Sequence, residues 1–381
     1  MLLVLHDSLA NALDLNTVLE ALEMIALARR EGKHLVFAKR DVLKSLLNCS
    51  DLSKRTRQVY SKIYAQLAEM QVYLQTFTRR VEVIALDTGL SSRMERHCKV
   101  ISVPARYFCD SALIQKPVLM TENLDDATLY QTITKIYLKW KKLNGIAILF
   151  EPYAGGGSTT EKAYKLIQDK QERFCLCLLD SDKKSPNSPL GNTAKDVKKI
   201  ENTNQPLCEY FIVGVREIEN LIPTQLYSTV SSGDVNRMPC VHFLEQLEKT
   251  SIAEARKYLD IKNGLKLNEI LQASKNSPFS KDWMNWLNNV SSLNIKYIKK
   301  TCLKNKACLK GKNCDCIITT GLGDKILEAV IKLIETPTKD QPTEQKIVEM
   351  VEPLLKAEWE PIGEIITAWC CSTSRISTAS N

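Results

Sequence analysis

Four short segments of this chain are apolar almost throughout, and helix-patterned stretches alternate with them: Pro117–Thr121 (PVLMT), Gly145–Phe150 (GIAILF), Phe174–Leu179 (FCLCLL) and Tyr210–Val215 (YFIVGV). A strand with no polar face must be covered on both sides, which is the condition of a parallel sheet between layers of helix. The intervening sequence fits. Leu124–Lys142 reads as a helix that turns basic toward its end, where cations suit the helix dipole. Thr160–Asp169 reads as a second helix with Ser158 or Thr159 as cap, after a glycine-rich turn at Ala154–Thr160. The predicted class is α/β, with a parallel sheet flanked by helices over residues 116–235.

A length of 381 residues leaves room for more, at roughly 150 residues per domain. Residues 1–115 read as an N-terminal α/β unit. Leu2–Leu5, His34–Phe37 and Arg80–Leu86 look like strands, Asn16–Arg29 and Thr56–Tyr73 like helices. Residues 236–371 read as mainly helical, over Val241–Leu259, Leu265–Ala273, Asp324–Glu335 and Glu344–Lys356, with Pro353 ending or bending the last. The tail 372–381 (STSRISTASN) is expected to be disordered. No apolar run approaches the ~18 residues that span a bilayer, and the N-terminus lacks a signal-peptide layout. A soluble, cytoplasmic protein with no membrane partner is the expectation, and there thirteen cysteines are not a disulfide framework.

The acids of the second unit fall where its strands end. Glu122 follows the first strand, and Asp126 lies one helical turn on, on the same face. Asp180 and Asp182 follow the third strand, and Glu217 and Glu219 follow the fourth. In an open parallel sheet the C-terminal strand ends share the ligand-binding edge. Carboxylates gathered there repel unless a counter-charge joins them. Mg²⁺ or Mn²⁺ is the usual one, since hard divalent cations take oxygen ligands and leave positions for phosphate oxygens. Two such ions can hold the attacking and leaving oxygens of a phosphodiester displacement.

This ordered set resembles the TOPRIM domain of topoisomerases, bacterial primases and OLD-like nucleases. Thr121–Ala127 (TENLDDA) is similar to the OLD-type glutamate-x3-acid motif, Ala154–Thr159 (AGGGST) to the Gly-rich turn, Leu178–Asp182 (LLDSD) to the DxD, and Arg216–Pro223 (REIENLIP) to a further acidic motif. The resemblance covers about 110 residues. It implies a TOPRIM-like fold and a metal-dependent nuclease acting on DNA or RNA, tRNA included, with Glu122, Asp126, Asp180, Asp182 and Glu219 as metal ligands and catalytic residues. It further implies the toxic effector of a bacterial anti-phage defence system, partnered by an ATPase or sensor protein. The motif departs from the family at Asn123, where glycine is common, and no Walker A sequence is present. The family's late basic residue has three candidates, Lys183, Lys195 and Lys325. A non-catalytic nucleic-acid-binding or regulatory subunit on the same fold is the alternative, and primase-like nucleotidyl transfer a third.

The net charge is +8, and the stretch Lys296–Lys312 holds seven lysines and no acid, which leaves the rest of the chain nearly balanced. Lys299, Lys300, Lys304, Lys306, Lys310 and Lys312 suit sequence-independent contact with a phosphate backbone; a solvated basic loop is the alternative. Interleaved with them, Cys302, Cys308, Cys314 and Cys316 supply the four thiolates of a tetrahedral Zn²⁺ site or are ordinary loop thiols. The four histidines are scattered without metal-ligand spacing.

Overall fold

The computed structural model describes residues 1–202, 204–273, 276–289, 316–337 and 339–377. The chain divides into two compact units, each discontinuous: Met1–Leu178 with Asp196–Phe211 and Glu360–Asn381, and Leu179–Lys195 with Ile212–Trp359. It is α/β, with mixed and parallel sheets flanked by helices. No helix of the described residues is long and apolar enough to cross a membrane.

Two sheets organise the first unit. The N-terminal one has strands β1 (Leu2–Leu5), β2 (Leu35–Ala38), β3 (Arg79–Ile84), β4 (Ser91–Glu95) and β5 (Cys98–Pro104) in the order β2-β1-β3-β5-β4. Its first four members run parallel and β4 returns antiparallel on β5. β1 and β2 are almost wholly buried, and the Asn16–Arg30 helix buries Val18, Leu22 and Ile25. Burial of an aliphatic side chain of this size contributes about 2 kcal/mol each. The single helix expected over Thr56–Tyr73 is two, Lys54–Ala65 and Leu67–Thr76. Gln66 leaves helical geometry between them and accepts a hydrogen bond from Arg29 at 3.2 Å.

The second sheet joins β6 (Val118–Thr121), β8 (Glu151–Ala154), β9 (Cys175–Leu179) and β10 (Cys208–Ile212) in the order β10-β9-β6-β8. β6 runs parallel to both neighbours. The bonds from Cys175 N to Leu207 O and from Val213 N to Leu179 O run in step, which makes β10 parallel to β9. β6 and β9 are buried at every residue, as a central strand covered on both faces must be. The expected second strand, Gly145–Phe150, is corrected. Only Ala147–Ile148 (β7) is extended there, and it pairs antiparallel with Cys371–Ser372 (β13). The sheet's own strand is the next segment, Glu151–Ala154, exposed at every residue. As the edge strand it tolerates Pro152, whose missing N–H a central strand would need. The tail also departs from expectation at its start. Residues 372–377 are bonded to the first unit, with Ile376 N donating to Arg30 O at 2.9 Å and Arg29 to Ser374 O at 3.2 Å; residues 378–381 lie outside the described set.

The second unit is mainly helical. The expected Val241–Leu259 helix is the Met238–Leu247 helix followed by a 3-10 turn at Ala253–Tyr258. A short antiparallel pair, β11 (Gly264–Lys266) with β12 (Ile317–Thr320), was not expected. The Glu344–Met350 helix ends before Pro353, which opens the next helix, Pro353–Cys370, rather than bending the first. Proline is favoured at a helix start because its missing N–H would be unpaired there anyway.

Candidate functional site

In the first unit, the glycine-rich turn closes on the end of β6. Gly155 N donates to Thr121 O at 2.7 Å and Gly156 N to Glu122 O at 3.1 Å. Gly156 and Gly157 hold φ +76° and +60°, the left-handed region that glycine enters without cost from a Cβ. A Cβ on Gly157 would stand 3.1 Å from Glu122 Oε1. The turn is thus a backbone cradle built against this carboxylate. Thr159 sits at the helix N-cap position, but its hydroxyl donates back to Gly155 O at 2.6 Å instead of capping. Asp126 is buried, and its Oδ2 accepts the Asn123 N–H at 2.8 Å, closing a capping box at the start of the Leu124–Trp140 helix. The short spacing from Asn123 to Asp126 therefore has a structural use as a helix cap.

In the second unit the chain leaves β9 as Asp180-Ser181-Asp182 and is stitched to the segment that follows β10. Asp182 N donates to Arg216 O at 2.8 Å, Ser181 Oγ donates to Val215 O, and Gly191 N donates to Ser181 O at 2.9 Å. Asp182 adopts φ +52°, a conformation a non-glycine residue holds at a cost and that clusters at functional sites. Gly191 backs it: a Cβ there would overlap the Asp182 carboxylate. Burial pushes the Asp182 pKa up, and the Glu217 charge pushes it further, against Arg216, Lys262 and Lys184.

Glu219 rides on the 3-10 turn Ile218–Leu221, and its side chain is only 5% exposed. A buried framework fixes that turn. Arg256 donates to Asn220 O at 2.6 Å and pairs with Glu248 at 2.8 Å, while Asn220 Nδ2 donates to the carbonyls of Arg256 and Leu259 at 2.8 and 2.9 Å. Tyr227 OH donates to Glu219 O at 2.6 Å. The carboxylate is less well provided. Lys262 Nζ lies 3.4 Å from Oε1, and Oε2 is buried with no hydrogen-bond partner among the described residues. Burial raises the Glu219 pKa above the carboxylate norm, Lys262 opposing. Glu217 lies alongside, 3.1 Å from the same ammonium, with Arg216 Nε at 3.4 Å and Arg216 turned mainly to Asp260 at 2.7 Å.

Lys262 is the residue of the candidate site that sequence reading missed. It sits in the turn after the Ala253–Tyr258 element, 43 positions beyond Glu219, and nothing in that spacing marks it. Of the three lysines expected as candidates, Lys183 spends its ammonium on Pro186 O at 3.2 Å. Burial disfavours the Lys262 charge, and Glu219 and Glu217 more than reverse that, raising its pKa.

Among the described residues, no three His, Cys, Asp or Glu side chains are gathered tightly enough to hold an ion as they stand. The donor set of Asp182, Glu217 and Glu219 nevertheless has the oxygen chemistry Mg²⁺ or Mn²⁺ takes. The unpartnered Glu219 Oε2 and the Gly157 cradle at Glu122 are the features a hard cation would use. Cys302, Cys308, Cys314 and the lysines from Lys299 to Lys312 lie outside the described residues; Cys316 is a buried residue immediately before β12. Comparison with known proteins adds no relative: no family model matches the chain, and no curated protein or solved structure does.

Proposed function

We propose that this chain is a divalent-metal-dependent phosphodiester hydrolase of the TOPRIM type acting on nucleic acid. The observation that carries the reading is Glu219: a buried carboxylate with one oxygen left without a donor, next to Glu217, in a unit where Asp182 is half-buried and strained. A fold that gathers these carboxylates and relieves their repulsion only in part gains nothing in stability from the remainder; a bound cation would give the arrangement its use.

Asp180, Asp182, Glu217 and Glu219 are the residues of the second unit that would hold Mg²⁺ or Mn²⁺. Glu122 stands as a separate ligand candidate on the first unit, supported by its glycine cradle, and Asp126 as one already engaged in a helix cap. Bound by such oxygens, the metal would neutralise phosphate charge and supply an acidified water for the displacement. The protein's part is positioning. The Arg256–Asn220 framework fixes the turn that carries Glu219, and the Ser181 hydroxyl and the Asp182 N–H fix the DxD segment against the Val215 and Arg216 carbonyls. The choice of DNA or tRNA, a toxic role in anti-phage defence, and an ATPase or sensor partner follow from the TOPRIM and OLD-like resemblance alone.

Purified protein is to be incubated with plasmid, single-stranded DNA and total tRNA in Mg²⁺, Mn²⁺ or EDTA. Cleavage of at least one substrate is expected with metal and none with EDTA. Joint Asp180→Ala and Asp182→Ala substitution should abolish it at unchanged folding. Cleavage that survives either treatment removes the metal mechanism. Binding of nucleic acid without cleavage under all conditions leaves the non-catalytic alternative.

A further inference from the structure

We propose that Lys262 is the resident counter-ion of the second unit's carboxylates and gives up its places on Glu217 and Glu219 when a divalent cation enters. The inference rests on the metal-dependent reading and deepens it by naming what sets the site's metal affinity.

Its backbone is locked. Leu322 N donates to Ile261 O at 2.8 Å, Gly323 N to Lys262 O at 2.9 Å and Gly264 N to Asp260 O at 2.8 Å, so the turn carrying Lys262 is closed from both sides. Gly264 holds φ +78°, and a Cβ on Gly321 would overlap the Lys262 carbonyl. The backbone therefore has nowhere to go, and any movement belongs to the side chain. That side chain is 29% exposed against 13% and 5% for the glutamates it joins, so its flexible four-carbon stem reaches from the solvent side inward.

Charge argues the same way. One ammonium faces Glu217 and Glu219, and Asp182 is close enough for Glu217 to raise its pKa. The neighbouring guanidinium, Arg216, pairs with Asp260 at 2.7 Å and reaches Glu217 at 3.4 Å, and Lys184 acts on Asp182. Four carboxylates, Asp182, Glu217, Glu219 and Asp260, thus share three cationic side chains, and a divalent ion compensates the set better. Ammonium and metal draw on the same two carboxylates, so occupancy by one disfavours the other; the coupling is negative and reciprocal.

The test uses the full chain and Mn²⁺ alone, without nucleic acid, read by calorimetric titration and thermal melting. Lys262→Met should bind Mn²⁺ about tenfold tighter than wild type. It should melt lower without metal and gain more from Mn²⁺, as ligand linkage requires. Lys262→Arg keeps the charge and should return affinity to near the wild-type value. Amine labelling of the wild type, read by mass spectrometry, needs no variant: Mn²⁺ should raise the labelling rate at Lys262. Equal Mn²⁺ affinity in wild type and Lys262→Met, or labelling indifferent to Mn²⁺, overturns the displacement while metal-dependent cleavage stands. If none of the proteins binds Mn²⁺, the displacement and the metal reading fall together.

Discussion

Glu209, a partly buried glutamate within β10, and Glu219, a buried one beyond its end, have opposite surroundings. Glu209, in β10 of the first unit, is fully supplied: Arg79 donates to both its oxygens at 2.9 and 3.2 Å, Trp369 donates at 3.0 Å and Lys99 stands at 3.8 Å. Burial alone would raise its pKa, and these partners, Arg79 first, hold it below the carboxylate norm. Glu219 has one ammonium at 3.4 Å and an oxygen with no donor among the described residues, and its pKa is raised. An acid that the fold has fully partnered is structural. One that it leaves short of a partner is a functional-site candidate.

The largest expected effect comes from breaking the fully partnered one. Glu209→Ala leaves the half-buried Arg79 with Thr78 Oγ1 but without its carboxylate partner, and should cost about 3 kcal/mol, read as a lowered urea midpoint at unchanged slope. The sign with pH follows from its lowered pKa. The stabilisation is present at pH above the ordinary carboxylate value and is lost as pH falls through the lower, folded-state value. Wild type and Glu209→Ala should therefore converge in stability at acid pH and diverge toward neutrality. A gap that stays constant down the acid limb would mean the Arg79–Glu209 pair is not what stabilises this unit.

A smaller effect tests the turn beneath the partner of Glu219. Gly321→Ala forces a Cβ into the Lys262 carbonyl, which is backbone and cannot rotate aside. We expect a loss of about 2 kcal/mol, the scale of overpacking at a tight site. Metal-dependent cleavage should fall more than thermal stability does, because Lys262 and its glutamates shift together. Wild-type melting and activity in Gly321→Ala would show that the turn has slack.

The sheet of the candidate site was legible because Val118–Thr121 and Cys175–Leu179 are buried on both faces, and such strands carry their environment in their composition. The same rule misled at Gly145–Phe150. An apolar run marks burial, not membership of a given sheet, and β7 pairs with β13 from the far end of the chain. The true neighbour, Glu151–Ala154, is an exposed edge strand whose polar sequence hides it, as does that of β4. For the site, acids after strands were readable because strand ends are fixed by the hydrophobic pattern. Lys262 was not, because a lysine in a turn between short elements looks like any solvated lysine until the fold brings it to Glu217 and Glu219. Asp126 shows the reverse case: its spacing to Glu122 is real, and its carboxylate accepts the Asn123 N–H of a helix cap.

The smallest expected change sharpens the contrast most, because its sign is opposite to that of Glu209→Ala. Glu219 has a folded-state pKa above its unfolded value, so the folded protein keeps this proton to higher pH than the unfolded chain does. Stability is then lost as pH rises from the ordinary carboxylate value through the raised one, and at neutral pH the ionised side chain is a net cost. Glu219→Gln keeps the shape, can still accept from Lys262 and removes the charge. It should stabilise the metal-free protein by about 1 kcal/mol, as removal of functional strain commonly does, and abolish both cleavage and the Mn²⁺-induced rise in melting temperature. A variant that is less stable than wild type would place Glu219 with Glu209 among the structural acids, and the comparison that points to a cation site would be gone.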